Sequence, residues 1–196
     1  MPYRGRKGVI TYWPVVSREQ TVVCASLRQW RLAVELDFEP AWVAFSASPV
    51  ELRWRAGGRA HRWRPDFVAR TSGGVRLVLV LKPPGGESLP AARLQVLNAV
   101  ARAAGWRVRQ VREPSGVRGR NLGWLAGYRF GVGDEDGRGQ ALLEAFREPT
   151  GLRAGVAASG LPALTGLDLA YRMLWQRRLL FDACRPLLPD ATVWTA

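Results

Sequence analysis

Two stretches in the first half of the chain alternate hydrophobic and polar residues, and a glycine turn interrupts each of them. In "ELRWRAGGRAHRWR", residues 51–64, Leu52 and Trp54 alternate with arginines before a Gly-Gly pair, which is typical of a two-stranded hairpin. The stretch "PDFVARTSGGVRLVLVLK", residues 65–82, predicts a second hairpin. Its second strand is apolar on both faces, so we expect that strand to lie at the centre of a sheet.

Helical periodicity is found on both sides of these hairpins. Ser17 and Gln20 resemble a capping box, and the pattern after them predicts a helix from residue 17 to the segment before Pro40. The apolar residues at helical spacing are Val23, Leu27, Trp30 and Val34. A short strand is expected at 42–45. The stretch "LPAARLQVLNAVARAAGW" predicts a helix before the strand "WRVRQV", and this order is typical of two parallel strands joined by a crossover helix.

The chain is expected to divide near residue 129. Glycine and charge clusters punctuate residues 113–140, and helical patterns in "QALLEAFREP" and "LPALTGLDLAYRMLWQR" follow them. Two short β-prone runs then close the chain, and helices followed by a terminal hairpin fit a small winged-helix unit. We therefore predict a basic N-terminal arm at 1–16, an α/β domain with a mixed sheet flanked by helices at 17–128, and a winged-helix-like unit at 129–196.

The charge of the chain indicates an anionic partner. Its 196 residues carry a formal net charge of +13, and nearly all of the positive charge is arginine. An excess of this size is typical of proteins that bind nucleic acid. No apolar run approaches the length that crosses a bilayer, so membrane residence is not expected. One histidine and two distant cysteines lack the spacing of a zinc site, and we expect Cys24 and Cys184 to be buried apolar residues in a reducing cytoplasm.

The second hairpin carries the candidate chemistry of the chain. Asp66 opens one strand and Lys82 ends the next, a layout that serves metal-dependent phosphodiester cleavage when a second carboxylate helps to hold Mg²⁺. By strand alternation residue 80 shares a face with Lys82, but this residue is Val80, whose side chain cannot bind a metal ion. A cross-strand ion pair between Asp66 and Lys82 is the alternative interpretation of the spacing.

Several stretches, in a fixed order, resemble the TnsA-like endonuclease subunits of heteromeric transposases, of the actinobacterial type. They span roughly residues 17–195 and are "ASLRQWRLAVELDFEPAWVAF", "SPVELRW", "HRWRPDFVA", "LVLVLKP", "GWRVRQV", "NLGWLAGYR" and "RMLWQRRLLFDACRPLLPDATV". The resemblance implies a restriction-endonuclease-like fold of the PD-(D/E)XK type, followed by a winged-helix-like region. It also implies nicking of duplex DNA at transposon ends beside an integrase-type transposase and an ATPase regulator.

Carried over residue by residue, the resemblance places Asp66 on the family's metal-binding aspartate and Lys82 on its lysine. Other positions depart from the family's usual residues: Ala25 and Gln29 stand in place of helical glutamates, Ser48 in place of a glutamine, and Val80 in place of an acid or amide. One carboxylate rarely holds Mg²⁺ unaided, so we expect metal binding at Asp66 to be weak or absent. The resemblance thus implies a catalytically impaired, cytoplasmic and nucleoid-associated DNA-binding protein. An active Mg²⁺-dependent endonuclease subunit is the alternative.

Arginines crowd the first hairpin and a later glycine-rich stretch. Guanidinium groups bind phosphate oxygens bidentately, so these arginines are candidates for contacts with a DNA backbone. The candidates are Arg53, Arg55, Arg59, Arg62 and Arg64 in the hairpin, and Arg118 and Arg120, beside Asn121, in what we predict to be a glycine-rich loop. The alternative is a solvated charged face over core tryptophans. His61, within the hairpin, is interpreted as structural.

Overall fold

Helices and strands are mixed throughout the part of the chain that the computed structural model describes, residues 9–85, 87–130 and 137–196. The internal contacts of the chain divide it into two units, Met1–Glu113 and Pro114–Ala196. The mixed α/β class predicted from the sequence is confirmed. Within the described ranges, no helix is both long enough and apolar enough to cross a bilayer.

The first unit is built mainly from strands. These are β1 (Thr11–Val15), β2 (Gln20–Cys24), β3 (Trp42–Ala47), β4 (Leu52–Ala56), β5 (Arg59–Trp63), β6 (Phe67–Thr71), β7 (Arg76–Leu81) and β8 (Arg107–Val111). The helices are α1 (Leu27–Phe38) and α2 (Ala91–Ala103), with a 3-10 turn at Val16–Arg18.

A four-stranded sheet with the order β3-β6-β7-β8 forms the centre of this unit. β6 pairs antiparallel with both β3 and β7, whereas β8 pairs parallel with β7. α2 joins the two parallel strands, as the sequence predicted, because parallel neighbours need a long connection. All residues of β7 after Arg76 are buried, which confirms the central position that its apolar run indicated.

One face of β7 packs against α2 and contributes to the core of the unit. Val78 and Val80 lie in an apolar cluster with Leu97 and Ala101 of α2 and with Leu89 before it. Leu97 and Ala101 are the buried residues of α2, and Leu97 is only 1% exposed. The helix is therefore held to the sheet mainly through one narrow apolar stripe.

A β-hairpin occupies the segment in which the sequence predicted a basic arm and the start of a helix. β1 and β2 pair antiparallel, and Trp13 of β1 is buried. Val22 and Cys24 are buried while Val23 is exposed, which is the period of two of a strand rather than the helical spacing assigned to Val23. The predicted arm is therefore wrong for residues 11–16, and its first eight residues lie outside the described part of the chain.

α1 begins later than the sequence predicted. The capping box proposed at Ser17 and Gln20 is wrong, because Gln20 lies in β2. Ser26 caps the helix instead, and its Oγ accepts a hydrogen bond from the backbone N–H of Gln29 at 3.2 Å. The predicted end is confirmed, since α1 ends at Phe38, before the proline.

β4 and β5 form the predicted arginine-rich hairpin as a two-stranded sheet of their own. The turn consists of Gly57 and Gly58, with φ values of 55° and 73°. A two-residue hairpin turn of type I′ needs a positive φ at both central residues, and glycine adopts it without a Cβ clash. The Gly-Gly pair therefore fixes the register in which Leu52 lies opposite Trp63.

The second unit combines helices with a small antiparallel sheet. Its helices are α3 (Gly116–Leu125), α4 (Arg138–Ala145), α5 (Leu152–Ala158) and α6 (Ala163–Trp175), with a 3-10 turn at Ala126–Tyr128. Its strands are β9 (Thr150–Gly151), β10 (Leu179–Phe181) and β11 (Thr192–Thr195), in the order β10-β11-β9. α4, α6 and the two terminal strands occupy the segments where the sequence predicted them.

α3 lies where the sequence predicted a glycine-rich loop, and the division between the units precedes the predicted boundary near residue 129. Leu122 and Leu125 are buried, and α3 packs against α6. Gly119 permits a close approach, since a Cβ there would lie 2.9 Å from the carbonyl oxygen of Pro114. Packing therefore overrides the low helix propensity that suggested a loop.

The two cysteines differ in environment. Cys24 is fully buried in β2, and burial raises the pKa of its thiol to about 11. Cys184 is exposed, so the expectation that both cysteines are buried is wrong for this residue. Cys184 lies in a turn after β10 rather than in a strand.

Candidate functional site

Asp66 lies immediately before β6, and two hydrogen-bond donors hold its carboxylate. The backbone N–H of Leu81 donates to Oδ2 at 2.8 Å, and Nε2 of Gln29 donates to Oδ1 at 3.1 Å. The pairing of β6 with β7 ends at Phe67 opposite Leu79, so β6 does not reach the N–H of Leu81. The side chain of Asp66 satisfies that donor and closes this end of the sheet.

Gln29 lies buried in the first turn of α1, and all of its polar atoms have partners. Its Oε1 accepts from the backbone N–H of Ala25 at 2.8 Å, and its Nε2 donates to Oγ of Ser48 at 3.2 Å as well as to Asp66. A backbone N–H only donates and a carboxylate only accepts, so these partners fix the orientation of the amide. Gln29 therefore presents donors, not its oxygen, to Asp66.

The structure brings together four of the positions to which the resemblance drew attention: Ala25, Gln29, Ser48 and Asp66. Ser48 joins them through its backbone as well, because its N–H donates to the carbonyl oxygen of Asp66 at 2.8 Å. Its φ of 45° lies in the left-handed region, which non-glycine residues seldom adopt. The α1 N-terminus, the segment after β3 and the segment before β6 thus meet at one end of the central sheet.

Val80 and Lys82 make other contacts. Val80 is 1% exposed and packs in the apolar cluster against α2. Lys82 is partly buried, and its backbone N–H donates to the carbonyl oxygen of Val111 at 2.9 Å. Among the ion pairs of the described residues, none joins Asp66 to Lys82, so the cross-strand ion pair is wrong as an interpretation of their spacing.

Arg28 and Glu113 form an ion pair beside Asp66 that the sequence did not predict. The guanidinium of Arg28 donates from Nε and Nη2 to the two carboxylate oxygens of Glu113, at 2.6 and 2.8 Å. Nη2 also donates to the carbonyl oxygen of Lys82 at 2.6 Å. One arginine of α1 thereby ties together the ends of two parallel strands. The only feature of the sequence that could have indicated this ion pair is that Glu113 is an acid that follows a run rich in arginine.

Burial dominates the electrostatics of Asp66. It raises the pKa of this carboxyl above the ordinary aspartate value, while the hydrogen bonds from Leu81 and Gln29 and the positive charge of Arg28 oppose the shift. The negative charge of Glu113 adds to the rise. The hydrogen bonds from Arg28 lower the pKa of Glu113 itself. Two carboxylates thus lie within electrostatic reach of each other, with a guanidinium that binds one of them.

The residues around Asp66 do not fit a divalent metal ion. Both carboxylate oxygens of Asp66 already accept hydrogen bonds, Gln29 turns its NH₂ group towards them, and Glu113 is occupied by Arg28. Mg²⁺ needs several oxygen ligands with negative charge. Across the described residues, no group of three or more His, Cys, Asp or Glu side chains is placed to hold a metal ion.

The β4–β5 hairpin carries the second candidate site. Directly opposite residues project to the same side of an antiparallel pair, and Arg53 lies opposite Arg62. We define the arginine face by the residues that alternation places on this side: Arg53, Arg55, Arg62 and Arg64. Glu51 shares this side and accepts hydrogen bonds from Arg53 at 2.7 Å and from Arg64 at 3.1 Å. The side chains of Arg53 and Arg64 are nevertheless 80% and 63% exposed.

The other predicted arginines lie elsewhere. Arg59 lies opposite Ala56, on the reverse side of the hairpin. Arg118 and Arg120 lie on α3 in the second unit, and Arg120 is exposed. Asn121 is buried, and its side chain bonds only to backbone groups between residues 183 and 187, so its role is structural.

Neither a scan against protein-family models nor a search of curated proteins finds a match for this chain. The described residues themselves indicate what the two sites can do. In the Asp66 cluster both carboxylates already have hydrogen-bond or ion-pair partners, whereas the arginine face offers exposed guanidinium groups to an anion. The geometry therefore supports binding of a polyanion better than metal-assisted hydrolysis.

Proposed function

We propose that this chain is a DNA-binding protein of the TnsA-like type whose nuclease site is catalytically impaired. In this proposal the first unit has a restriction-endonuclease-like fold and the second is winged-helix-like. The chain acts with an integrase-type transposase and an ATPase regulator, or with other DNA-processing partners. The observation that carries the proposal is the arginine face on a chain of net charge +13.

Phosphate binding is the chemistry that suits the arginine face. Four guanidinium groups project from one side of a short ribbon, and one carboxylate, Glu51, offsets only part of their charge. A ribbon of two strands is narrow enough to follow a DNA groove while its arginines contact the phosphates. A salt-dependent affinity without strong sequence preference follows from contacts of this kind.

Catalytic impairment is supported by the chemistry around Asp66. An acid that activated water through Mg²⁺ would need further oxygen ligands, and Gln29, which contacts Asp66, offers N–H groups instead. The guanidinium of Arg28 brings a fixed positive charge to the same place. A metal ion would therefore meet both a shortage of ligands and electrostatic repulsion.

An active Mg²⁺-dependent endonuclease that nicks at transposon ends is the second candidate. The observation in its favour is Glu113, a second carboxylate whose charge is felt at Asp66. Nicking of supercoiled DNA in the presence of Mg²⁺ distinguishes the two candidates. Cleavage that Asp66→Ala abolishes would establish the enzyme, whereas we expect no cleavage by the unmodified chain.

The test of DNA binding is the anisotropy of a labelled duplex across a salt series. We expect tight binding at low salt, with an affinity that falls steeply as salt rises, because bound arginines release condensed counterions. Replacing the whole arginine face by alanine should weaken binding to all sequences about equally. The matched control replaces four other exposed arginines of the first unit, which removes the same charge: Arg93, Arg102, Arg107 and Arg109.

The comparison of these two variants separates a specific face from bulk charge. If the control variant loses as much affinity as the arginine-face variant, the hairpin is only a solvated charged surface. If the unmodified chain fails to bind at low salt, or binds without salt dependence, the DNA-binding proposal is wrong. The thermal unfolding of both variants is measured beside that of the parent chain, because the arginine-face variant also removes the two partners of Glu51.

A further inference from the structure

The side of the hairpin opposite the arginine face carries four residues of a different kind. Leu52 lies opposite Trp63, and Trp54 lies opposite His61, so alternation places these four side chains together. We call them the aromatic face. The Leu52–Trp63 pair lies at the base of the hairpin, and the Trp54–His61 pair lies nearer to the Gly-Gly turn.

The two residues at the base of the hairpin, Leu52 and Trp63, have a structural role. Leu52 and Trp63 pack against the buried cluster that contains Val78 and Val80, and they are themselves partly buried. This contact anchors the hairpin to the first unit by apolar burial. It accounts for the tryptophan at position 63 without reference to any ligand.

The outer pair is not explained in this way. The rings of Trp54 and His61 stack with centroids 5.2 Å apart and planes 15° apart. His61 is exposed and Trp54 is only partly buried, and neither belongs to the cluster that Leu52 and Trp63 contact. A stacked pair of this geometry is stable, but it leaves aromatic surface open to solvent near the end of a ribbon rich in arginine.

The outer part of the hairpin is also concave. An open cavity of about 500 Å³ is lined by residues of both strands: Arg53, Trp54, Arg55, Ala60, His61 and Arg62. Small-molecule sites commonly have volumes of a few hundred Å³, so this one is large enough for a nucleotide. Trp54 and His61 project from one side of the hairpin, and Arg59, opposite Ala56, lies on that same side.

From this combination we infer that the outer hairpin binds an unpaired nucleotide of a DNA strand. The base stacks on the Trp54–His61 pair, and an adjoining phosphate binds Arg59 on the same side of the hairpin. In an intact duplex the neighbouring bases cover both faces of each base, so the rings gain access only where a base is unpaired. The inference rests on the proposed DNA-binding function and adds the class of DNA that the hairpin selects: gaps, overhangs and other unpaired positions.

The test compares two DNAs of the same sequence and length, a blunt duplex and a duplex with a short internal gap, by anisotropy at one salt concentration. We expect the unmodified chain to prefer the gapped DNA. Trp54→Leu keeps an apolar side chain. It should lower the affinity for the gapped DNA at least about fivefold and leave the affinity for the blunt duplex unchanged. The control is Trp124→Leu, at an exposed tryptophan of the second unit, and it should leave both affinities unchanged.

The outcomes separate this inference from the proposed function. If the unmodified chain binds both DNAs with equal affinity, the nucleotide site is wrong and the proposed duplex binding still stands. The same conclusion follows if Trp54→Leu lowers the affinity for both DNAs equally. Binding to neither DNA at low salt overturns both proposals. His61→Ala serves as a second variant, since His61 is exposed and outside the core cluster, and it should reduce the preference in the same direction.

Discussion

Gln29 donates a hydrogen bond from Nε2 to Oδ1 of Asp66 across 3.1 Å, so a neutral amide rather than a second carboxylate faces Asp66. The orientation is fixed by Ala25, whose backbone N–H occupies the oxygen of the amide. Together with the backbone N–H of Leu81, Gln29 supplies both hydrogen bonds to this carboxylate. The hydrogen bonds from Gln29 and Leu81 oppose the rise that burial causes in the pKa of Asp66, but burial outweighs them.

Gln29→Glu should convert this hydrogen bond into a repulsion. A carboxylate at position 29 keeps the acceptor for Ala25 but loses the donor to Asp66, and the two negative charges raise each other's pKa. We expect a loss of about 2 kcal/mol or more in the free energy of unfolding at neutral pH. Mg²⁺ or Mn²⁺ should restore part of it, because a cation that binds only the folded state stabilises that state.

The control for this variant is Gln29→Ala, which removes the same donors without adding a charge. It should be destabilised in urea unfolding but should not respond to either metal ion. If Gln29→Glu also shows no metal-dependent increase in stability, Asp66 and residue 29 do not form a cation site when both are acidic. If the unmodified chain responds to Mg²⁺ as strongly as the variant, the amide is no obstacle to metal binding.

Val80→Glu should not restore a metal site. Val80 is packed among apolar side chains on the α2 side of β7, and a carboxylate there would be buried without a partner. We expect a loss of about 3 kcal/mol or more at neutral pH, against about 2 kcal/mol for the control Val80→Ala, which only creates a cavity. The measurement is urea unfolding with and without Mg²⁺. A full recovery of stability by Mg²⁺ in Val80→Glu would show that the new carboxylate reaches Asp66.

The sequence predicted those elements in which a single periodicity was present. β7 reads as an uninterrupted apolar run, and α2 and β8 follow with clear periods, so the crossover was predicted correctly. The segment before α1 failed because two periods overlapped. Val23 fits the helical spacing of Val34, but it also alternates with its neighbours, and packing of the β1–β2 hairpin decided in favour of the strand.

The candidate site was predictable only in part, for a physical reason. Alternation and turn residues placed Asp66 and the hairpin arginines, because these are local features. Arg28 and Glu113 are 85 residues apart, and no local pattern indicates that α1 reaches the end of β8. The orientation of Gln29 likewise depends on the path of the chain at Ala25 and Ser48, which only the folded backbone determines.

The Arg28–Glu113 pair should contribute measurably to stability. Arg28→Ala would leave the carboxylate of Glu113 and the carbonyl of Lys82 without this donor, and we expect a loss of about 1–3 kcal/mol. A double-mutant cycle with Glu113→Gln isolates the interaction between the two side chains. A coupling energy indistinguishable from zero would show that the pair is a surface contact without energetic weight.

The same pair predicts a sensitivity to acid. The pKa of Glu113 is lowered in the folded state, so its contribution to stability is present above the ordinary glutamate value and is lost as the pH falls through the folded pKa. Glu113→Gln should lack this loss. The check is urea unfolding of both chains at a series of acidic pH values. A difference between them that does not change with pH would contradict the lowered pKa.

Asp66 should show the opposite dependence on pH. Burial raises the pKa of its carboxyl, so between the ordinary aspartate value and the raised folded value the folded chain binds more protons than the unfolded chain. The ionised carboxylate therefore costs stability at neutral pH, and the cost is relieved as the pH falls through that window. Asp66→Asn carries no titrating group, so the stability of the parent relative to this variant should rise on acidification. Measuring both in a Glu113→Gln background removes the opposing change at Glu113. A relative stability that falls on acidification would show that the hydrogen bonds from Gln29 and Leu81 outweigh burial and that the pKa of Asp66 is lowered.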